Sequence, residues 1–303
     1  MISTQLCTAV TGILLLVTSP GLASASDKCS PIANMRGQLE TLKSNKWQLA
    51  DEAARQMLAL TLLDCLVVAD PVLRDELAFE ALSTWMRTKQ LTTDTLRRVN
   101  TELQARLKDD VVDAAGFGKP FAVLTLAEVA RVDRIQAFLS NEELDQLISS
   151  GTKYLTGVRD YRGFVTGEGW RHGVAHGADL MLQLSLNSRL SRMQLDRLLD
   201  AIASQVAPGG EHFYRYHEGE RLMAPVFYIA RKTLHENSDW DAWIAKLTAR
   251  GDSAESTTQT SLARRQNLAG FLLPLYFSLQ ESSDLAQRAR LLPAVTKALK
   301  ALD

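Results

Sequence analysis

Residues 92–107 read TTDTLRRVNTELQARL and show clearly the apolar spacing that recurs along most of the chain. Leu96, Val99, Leu103 and Leu107 recur at intervals of three and four residues, so a helix would place all of them on one face. Thr92 stands where a side-chain oxygen can accept a hydrogen bond from a free backbone N–H of the first turn. The stretch therefore predicts an amphipathic helix that buries one side.

The same signals repeat on both sides of this stretch. Asp70 before Pro71 predicts a helix start, and Ser140 with Glu143 forms a capping box. Ser191 and Ser238 also predict helix starts. No window shows the alternation of a half-buried strand, so the sequence predicts an all-α protein.

The turns between these segments divide the chain into about six antiparallel helical hairpins of about 40 residues, the length of HEAT-like repeats. Periodicity alone leaves open whether the hairpins form an α-solenoid or close into an α/α toroid. We expect one all-helical domain over residues 26–303.

Composition excludes some classes of partner. The chain has 34 basic and 35 acidic residues and a formal net charge of -1. The two signs are interspersed and form no basic stripe, so a nucleic-acid partner is not expected.

The N-terminal residues 1–25 have the features of a signal peptide. An apolar run from Ala9 to Val17 precedes Pro20, and Ala23-Ser24-Ala25 is a small-residue cleavage site. The run is too short to cross a bilayer, and no later segment is long and apolar enough. The sequence therefore predicts a periplasmic or secreted protein with no membrane span after the signal is removed.

Cleavage would remove Cys7 and leave Cys29 and Cys65. An even number of cysteines in an oxidising compartment favours a disulfide. The alternative is two buried thiols.

Residues 160–180, DYRGFVTGEGWRHGVAHGADL, hold the richest set of polar side chains. We expect a glycine-rich loop that leads into a helix carrying His172, His176 and Asp179 at positions i, i+4 and i+7. This spacing places the three within an arc of roughly 60°. Gly169, Gly173 and Gly177 are predicted to form a smooth stripe against a neighbouring backbone.

Two readings of this polar stripe remain open. Two imidazoles and a carboxylate are a partial zinc set, although Gly173 stands where an HExxH motif would place its glutamate. The other reading is a hydrogen-bonded cluster that joins two hairpins. No cofactor is expected; the set would suit zinc or a similar ion.

Other polar groups could meet this stripe. Arg74, Asp75 and Glu76 open the helix after Pro71, where acids also compensate the helix dipole. The segment Glu211–Glu218 is rich in aromatic rings and imidazoles, as is typical of a pocket rim for a sugar or another polar ligand. Arg221 begins the next helix and forms a candidate ion pair with Glu220.

Several strings resemble the bacterial family of unknown function DUF2785. They are residues 71–82 (PVLRDELAFEAL), 119–126 (KPFAVLTL), 160–164 (DYRGF), 169–179 (GWRHGVAHGAD) and 267–277 (NLAGFLLPLYF). The resemblance names no reaction. It implies an all-helical domain whose characteristic positions are Arg74, Asp75, Glu76, Asp160, Arg162, Gly163, Trp170, His172, His176 and Asp179. The chain differs at Arg171, where the family often has a small residue, and in its signal peptide.

Three functional classes follow from these residues. The first is an exported helical-repeat protein with a polar cleft, formed by Asp160, Arg162, Trp170, His172, His176 and Asp179, that binds a polar ligand or a protein partner. The second is a metal- or carboxylate-dependent hydrolase of an envelope polymer. The third is a structural scaffold in which the stripe serves internal packing. Whether the chain is an enzyme is not decided by its sequence.

Overall fold

The computed structural model describes residue 29, residues 35–249 and residues 258–302, and the signal peptide predicted at residues 1–25 lies outside this part. In chain order the α-helices are α1 (Met35–Ser44), α2 (Glu52–Leu62), α3 (Glu80–Arg87), α4 (Thr93–Arg106), α5 (Gly118–Ile135), α6 (Asn141–Gly157), α7 (Gly173–Ser185), α8 (Arg192–Val206), α9 (Glu218–Arg231), α10 (Asn237–Ala249), α11 (Gln259–Gln280) and α12 (Leu285–Lys300). The protein is all-α, as predicted.

Shorter elements complete the fold. A 3₁₀ turn (Leu63–Val67) follows α2, and a π-helix (Val72–Phe79) runs directly into α3. The loop before α7 contains two short antiparallel strands, β1 (Phe164–Val165) and β2 (Gly169–Trp170). The sequence predicted neither the π-helix nor this strand pair.

The predicted helix starts depend on local capping. The Thr92 side chain accepts the backbone N–H of Thr95, and Asp70 accepts that of Val72. Capping boxes at Ser140 and Ser191 begin α6 and α8. Ser238 instead lies in the first turn of α10, which begins one residue earlier.

The helices alternate between two layers. In one layer α3 packs on α5, α5 on α7, α7 on α9, and α9 on α11. The Phe79 ring of the π-helix also contacts the Phe121 ring of α5. In the other, α2 contacts α4, α6 contacts α8, and α10 contacts α12. Among the described residues no extensive contact joins the first hairpins to the last, so the stack is open like a solenoid rather than closed like a toroid.

A single apolar cluster fills the space between the layers, from Cys29 near one end to Ala298 near the other. Cys29 and Cys65 form the predicted disulfide at the first end. None of the helices in residues 35–249 and 258–302 has the length and apolarity needed to cross a bilayer. Helix α7 is the central member of its layer, and its residues position the site described next.

Candidate polar site on helices α7 and α9

The loop between α6 and α7 folds back as a hairpin. Phe164 pairs with Trp170 across the two strands. The ladder continues because Arg171 N donates to Gly163 O and His172 N donates to Arg162 O, each at 3.0 Å. The Phe164 and Trp170 rings contact each other, and their exposed fractions are 45% and 36%. The hairpin therefore holds two aromatic rings at the surface.

Two positions in this hairpin require glycine, one because a ring packs against it and the other because of its backbone conformation. A Cβ on Gly163 would lie 2.1 Å from the Tyr216 ring, so only glycine leaves space for that ring. Gly169 has a φ of +78°, which glycine adopts without a steric cost. It belongs to β2, so the predicted stripe of Gly169, Gly173 and Gly177 does not form on one helix.

Arg74 ties the hairpin to the π-helix. Its guanidinium is completely buried and donates to Val68 O at 2.9 Å, to Glu168 O at 2.9 Å and to Asp75 Oδ1 at 2.6 Å. Its Cζ atom lies 3.9 Å from the centre of the Phe117 ring. Arg74 thus satisfies carbonyl groups from two distant segments and fixes the base of the hairpin.

Arg171 is a second anchor at the same place. Its Nε donates to Ala115 O at 2.8 Å, and its Nη2 donates to Glu168 Oε2 at 2.6 Å. Phe117 lies between the two guanidinium groups, because Arg171 Cζ is 4.2 Å from its ring centre. The position at which the chain differs from the resembled family is therefore buried and holds the loop through two of its three guanidinium nitrogens.

His172 stands at the N-cap of α7 in the left-handed conformation, with a φ of 53°. It therefore precedes the helix rather than lying on it as predicted. Its Nε2 donates to Tyr216 O at 3.1 Å, and its ring stacks on Trp170 at 4.8 Å. Burial lowers the pKa of His172, against the nearby carboxylate of Glu218. His172 thus links the hairpin to the start of α9.

His176 lies one turn further along α7, and its ring centre is 5.7 Å from that of His172. Its Nδ1 donates to Pro120 O at 3.2 Å. In the neutral ring Nε2 is then an acceptor, and no group in the described part of the chain donates to it. Burial lowers the pKa of His176 to about 3. The ring is neutral near pH 7 and presents a lone pair.

Asp179 is the third polar residue of this stretch and lies on α7 after His176. Its two oxygens accept from Nε and Nη2 of Arg221 on α9, at 2.9 and 2.5 Å. Burial raises the pKa of Asp179, and the Arg221 guanidinium opposes this shift. The Arg221 side chain is 48% exposed and that of Asp179 is 19% exposed, so the arginine end of this two-bond pair faces solvent. The predicted partner of Arg221, Glu220, instead contacts His217 at 2.8 Å.

We call Trp170, His172, His176, Asp179 and Arg221 the α7–α9 site. These five of the predicted positions come together. Arg74 and Asp75 lie behind the hairpin, where Asp75 accepts the Trp170 backbone N–H and where burial raises its pKa.

Other predicted positions lie elsewhere. Glu76 is exposed and faces Lys43 of α1 at 3.8 Å. Asp160 accepts from Arg162 at 2.5 Å, and it lines a separate cavity of about 270 Å³ beside Lys119 and Tyr154.

The donor set does not present a ready zinc site. Both oxygens of Asp179 are bound to Arg221, and His172 Nε2 donates to the Tyr216 carbonyl. No group of three or more His, Cys, Asp or Glu side chains suited to a metal is found within the described residues. Asp179 would have to leave Arg221 before it could join the two imidazoles on zinc.

Some contacts of the site were not predicted from its own stretch of sequence. The Pro120 carbonyl fixes the His176 tautomer, and Glu218 lies 3.8 Å from His172 while it accepts the Tyr216 backbone N–H. The aromatic content of Glu211–Glu218 was the signal for Tyr216. A backbone carbonyl leaves no signal in sequence, so the role of Pro120 could not be foreseen.

The lowered pKa of His176 predicts a pH-dependent stability. An unfolded histidine titrates near 6.5, and burial lowers the folded pKa to about 3. The stabilising contribution is therefore complete above pH 6.5 and is lost as pH falls towards 3, by at most about 1.4 kcal/mol per pH unit. The raised pKa of Asp179 acts in the opposite direction at the acidic end.

Urea unfolding at about pH 7 and about pH 5 measures this effect. His176→Gln is expected to reduce the loss of stability between the two pH values. The exposed His217, changed to glutamine, serves as control and should leave the loss as in the wild type. An equal loss in His176→Gln and in the wild type would contradict the burial of a neutral His176.

Fold and site together define a class: an all-α, hairpin-stacked protein with a polar site on its central helices. The family model of the protein of unknown function DUF2785 matches residues 103–277, and the chain belongs to this family. The match runs from the last turn of α4 into α11 and therefore includes the α7–α9 site, but not Arg74 or Asp75. No curated protein and no solved structure matches the chain.

Proposed function

We propose that this protein is an exported helical-repeat binding protein that takes a polar ligand at the α7–α9 site. The predicted signal peptide and the Cys29–Cys65 disulfide support export. The open stack of hairpins supports binding, because such a scaffold holds side chains from several helices on one extended face.

The proposal rests on a hydrogen-bond acceptor and a donor that lie on two neighbouring helices. His176 Nε2 offers an acceptor, and Arg221 on the neighbouring helix uses only Nε and Nη2 within the described structure, which leaves the N–H groups of Nη1 for a ligand. A donor and an acceptor on two packed helices are held by other bonds before any ligand arrives. Such preorganised polar groups bind with little loss of side-chain entropy.

The electrostatics of His176 support binding rather than catalysis. A general base that works near pH 7 needs a pKa close to that value. Burial lowers the pKa of His176 to about 3, which makes it a weak base but leaves it a hydrogen-bond acceptor. The bidentate bond to Arg221 likewise keeps Asp179 from acting as a free carboxylate.

A panel of small compounds tests the proposal. We expect at least one member of a panel of neutral sugars, amino acids and nucleosides to raise the Tm of the mature protein. At a ligand concentration of about 100 times the Kd, the Tm should rise by about 5 °C. Arg221→Ala should abolish the rise, because it removes the donor and frees Asp179.

Arg192→Ala is the matched control. Arg192 is 42% exposed and pairs with Asp196 and Asp239 on α8 and α10, away from the site. It should keep the full rise in Tm. A panel without any stabilising compound, or one whose effect survives in Arg221→Ala, would contradict the proposal and favour a scaffold that binds through another surface.

A further inference from the structure

The aromatic rings beside the α7–α9 site form a fixed platform. The Trp170 indole lies between His172, stacked at 4.8 Å and 26°, and Tyr216, whose ring meets it at 5.2 Å and 85°. The Phe164 ring lies 5.3 Å away on the paired strand. These contacts leave the indole 36% exposed but fix its orientation.

This exposure sets Trp170 apart from the other tryptophans. Trp47, Trp85, Trp240 and Trp243 are all buried in the core, with at most 7% of their surface exposed. A large apolar ring usually adds to the stability of the fold only when it is buried. An indole held rigidly at the surface, next to free hydrogen-bonding groups, is what stacking on the flat face of a ligand ring requires.

The polar groups beside the platform suit hydroxyl groups. Arg221 and Asp179 form a two-bond fork. The Arg221 side chain is 48% exposed, so its outer N–H groups face solvent, and the Asp179 carboxylate is 19% exposed. Each hydroxyl of a sugar donates one hydrogen bond and accepts others, so adjacent hydroxyls can bind both members of such a pair. His176 Nε2 adds a further acceptor.

The charges around the site are paired. Arg221 is bound to Asp179, Arg74 to Asp75, and Arg171 to Glu168. A phosphate or another anion would have to compete with these carboxylates for each guanidinium, and it would also meet buried Glu218. An uncharged ligand meets no such opposition.

From the rigid exposed indole and the paired polar fork, we propose that the ligand is a neutral oligosaccharide, one pyranose ring of which stacks on Trp170 while its hydroxyls bind Asp179, Arg221 and His176. This inference rests on the function proposed above and narrows its ligand class. The apolar C–H groups of one sugar face cover the indole, and the hydroxyls at the ring edge reach the fork.

Titration calorimetry with maltohexaose, cellohexaose and chitohexaose tests the inference on the mature protein. At least one of them should bind, with an affinity that stays nearly constant when salt is raised from about 50 mM to about 500 mM. Trp170→Ala should lower the affinity for the oligosaccharide roughly tenfold. Trp170→Phe should keep most of the wild-type affinity. Phe277→Ala, which removes a ring that is 66% exposed on α11, should leave the affinity unchanged.

The outcomes separate the two proposals. If no oligosaccharide binds but an amino acid or nucleoside binds in a manner that depends on Arg221, the sugar inference is wrong and the polar-ligand function stands. If nothing in either experiment binds, both are wrong. If an oligosaccharide binds equally well to wild type and Trp170→Ala, the stacking platform is wrong. Circular dichroism of each variant checks that the helices are retained.

Discussion

Arg74→Met is expected to lower the free energy of unfolding by about 3–5 kcal/mol, the largest effect we expect from any single substitution. The change removes the guanidinium donor from the Val68 and Glu168 carbonyls and one of the donors from the Asp75 carboxylate. It also removes the stacking of the guanidinium on Phe117. A buried acceptor that has lost its donor costs more free energy than the intact hydrogen bond contributed in net terms.

Urea unfolding of Arg74→Met against Arg36→Met measures this effect. Arg36 also pairs with carboxylates, those of Glu40 and Asp70, but its side chain is 51% exposed. Its loss should have a much smaller effect, because solvent screens exposed ion pairs. A similarly small cost for Arg74→Met would mean that the hairpin before α7 is not held by the π-helix.

Removing the disulfide is expected to have the second largest effect. Cys29 and Cys65 are 36 residues apart, and the chain-entropy model gives about 4 kcal/mol for closing such a loop. Both side chains are buried, and Cys65 lies in the 3₁₀ turn that leads to the π-helix. The double variant Cys29→Ala/Cys65→Ala should therefore loosen the end of the stack that supports Arg74.

The double variant and the wild type are compared by urea unfolding, each with and without dithiothreitol. The wild type should lose stability on reduction, whereas the double variant should be insensitive to it. Mass spectrometry after alkylation without reduction should find Cys29 and Cys65 unmodified in the wild type. Alkylation of both, together with no change in stability on reduction, would contradict the disulfide.

The fold was predictable because its signals are local. The apolar spacing of residues 92–107 and the capping oxygens of Thr92 and Ser140 act within one or two turns, and the helices begin where those side chains predict. An even cysteine count favoured the disulfide that the structure contains. The open stack could not be predicted, because it depends on whether the first and last hairpins meet.

The site was predictable only in part, because many of its contacts join residues that are far apart in sequence. The spacing of His176 and Asp179 on α7 follows from helix geometry. The left-handed turn at His172, which takes that residue off the helix, follows from bonds of the hairpin to its own backbone. Arg74 bonds a carbonyl 94 residues away, and Arg221 bonds a carboxylate 42 residues away. Such long-range partners decide which polar residues meet, and sequence spacing does not contain them.

Binding between α7 and α9 is measured by ligand calorimetry on the wild type, Arg221→Ala and Arg192→Ala, with the compound that stabilises the wild type most. We expect saturable one-to-one binding that Arg192→Ala retains and Arg221→Ala loses. Equal affinity in all three proteins would contradict it, because a ligand that ignores Arg221 is not bound between α7 and α9.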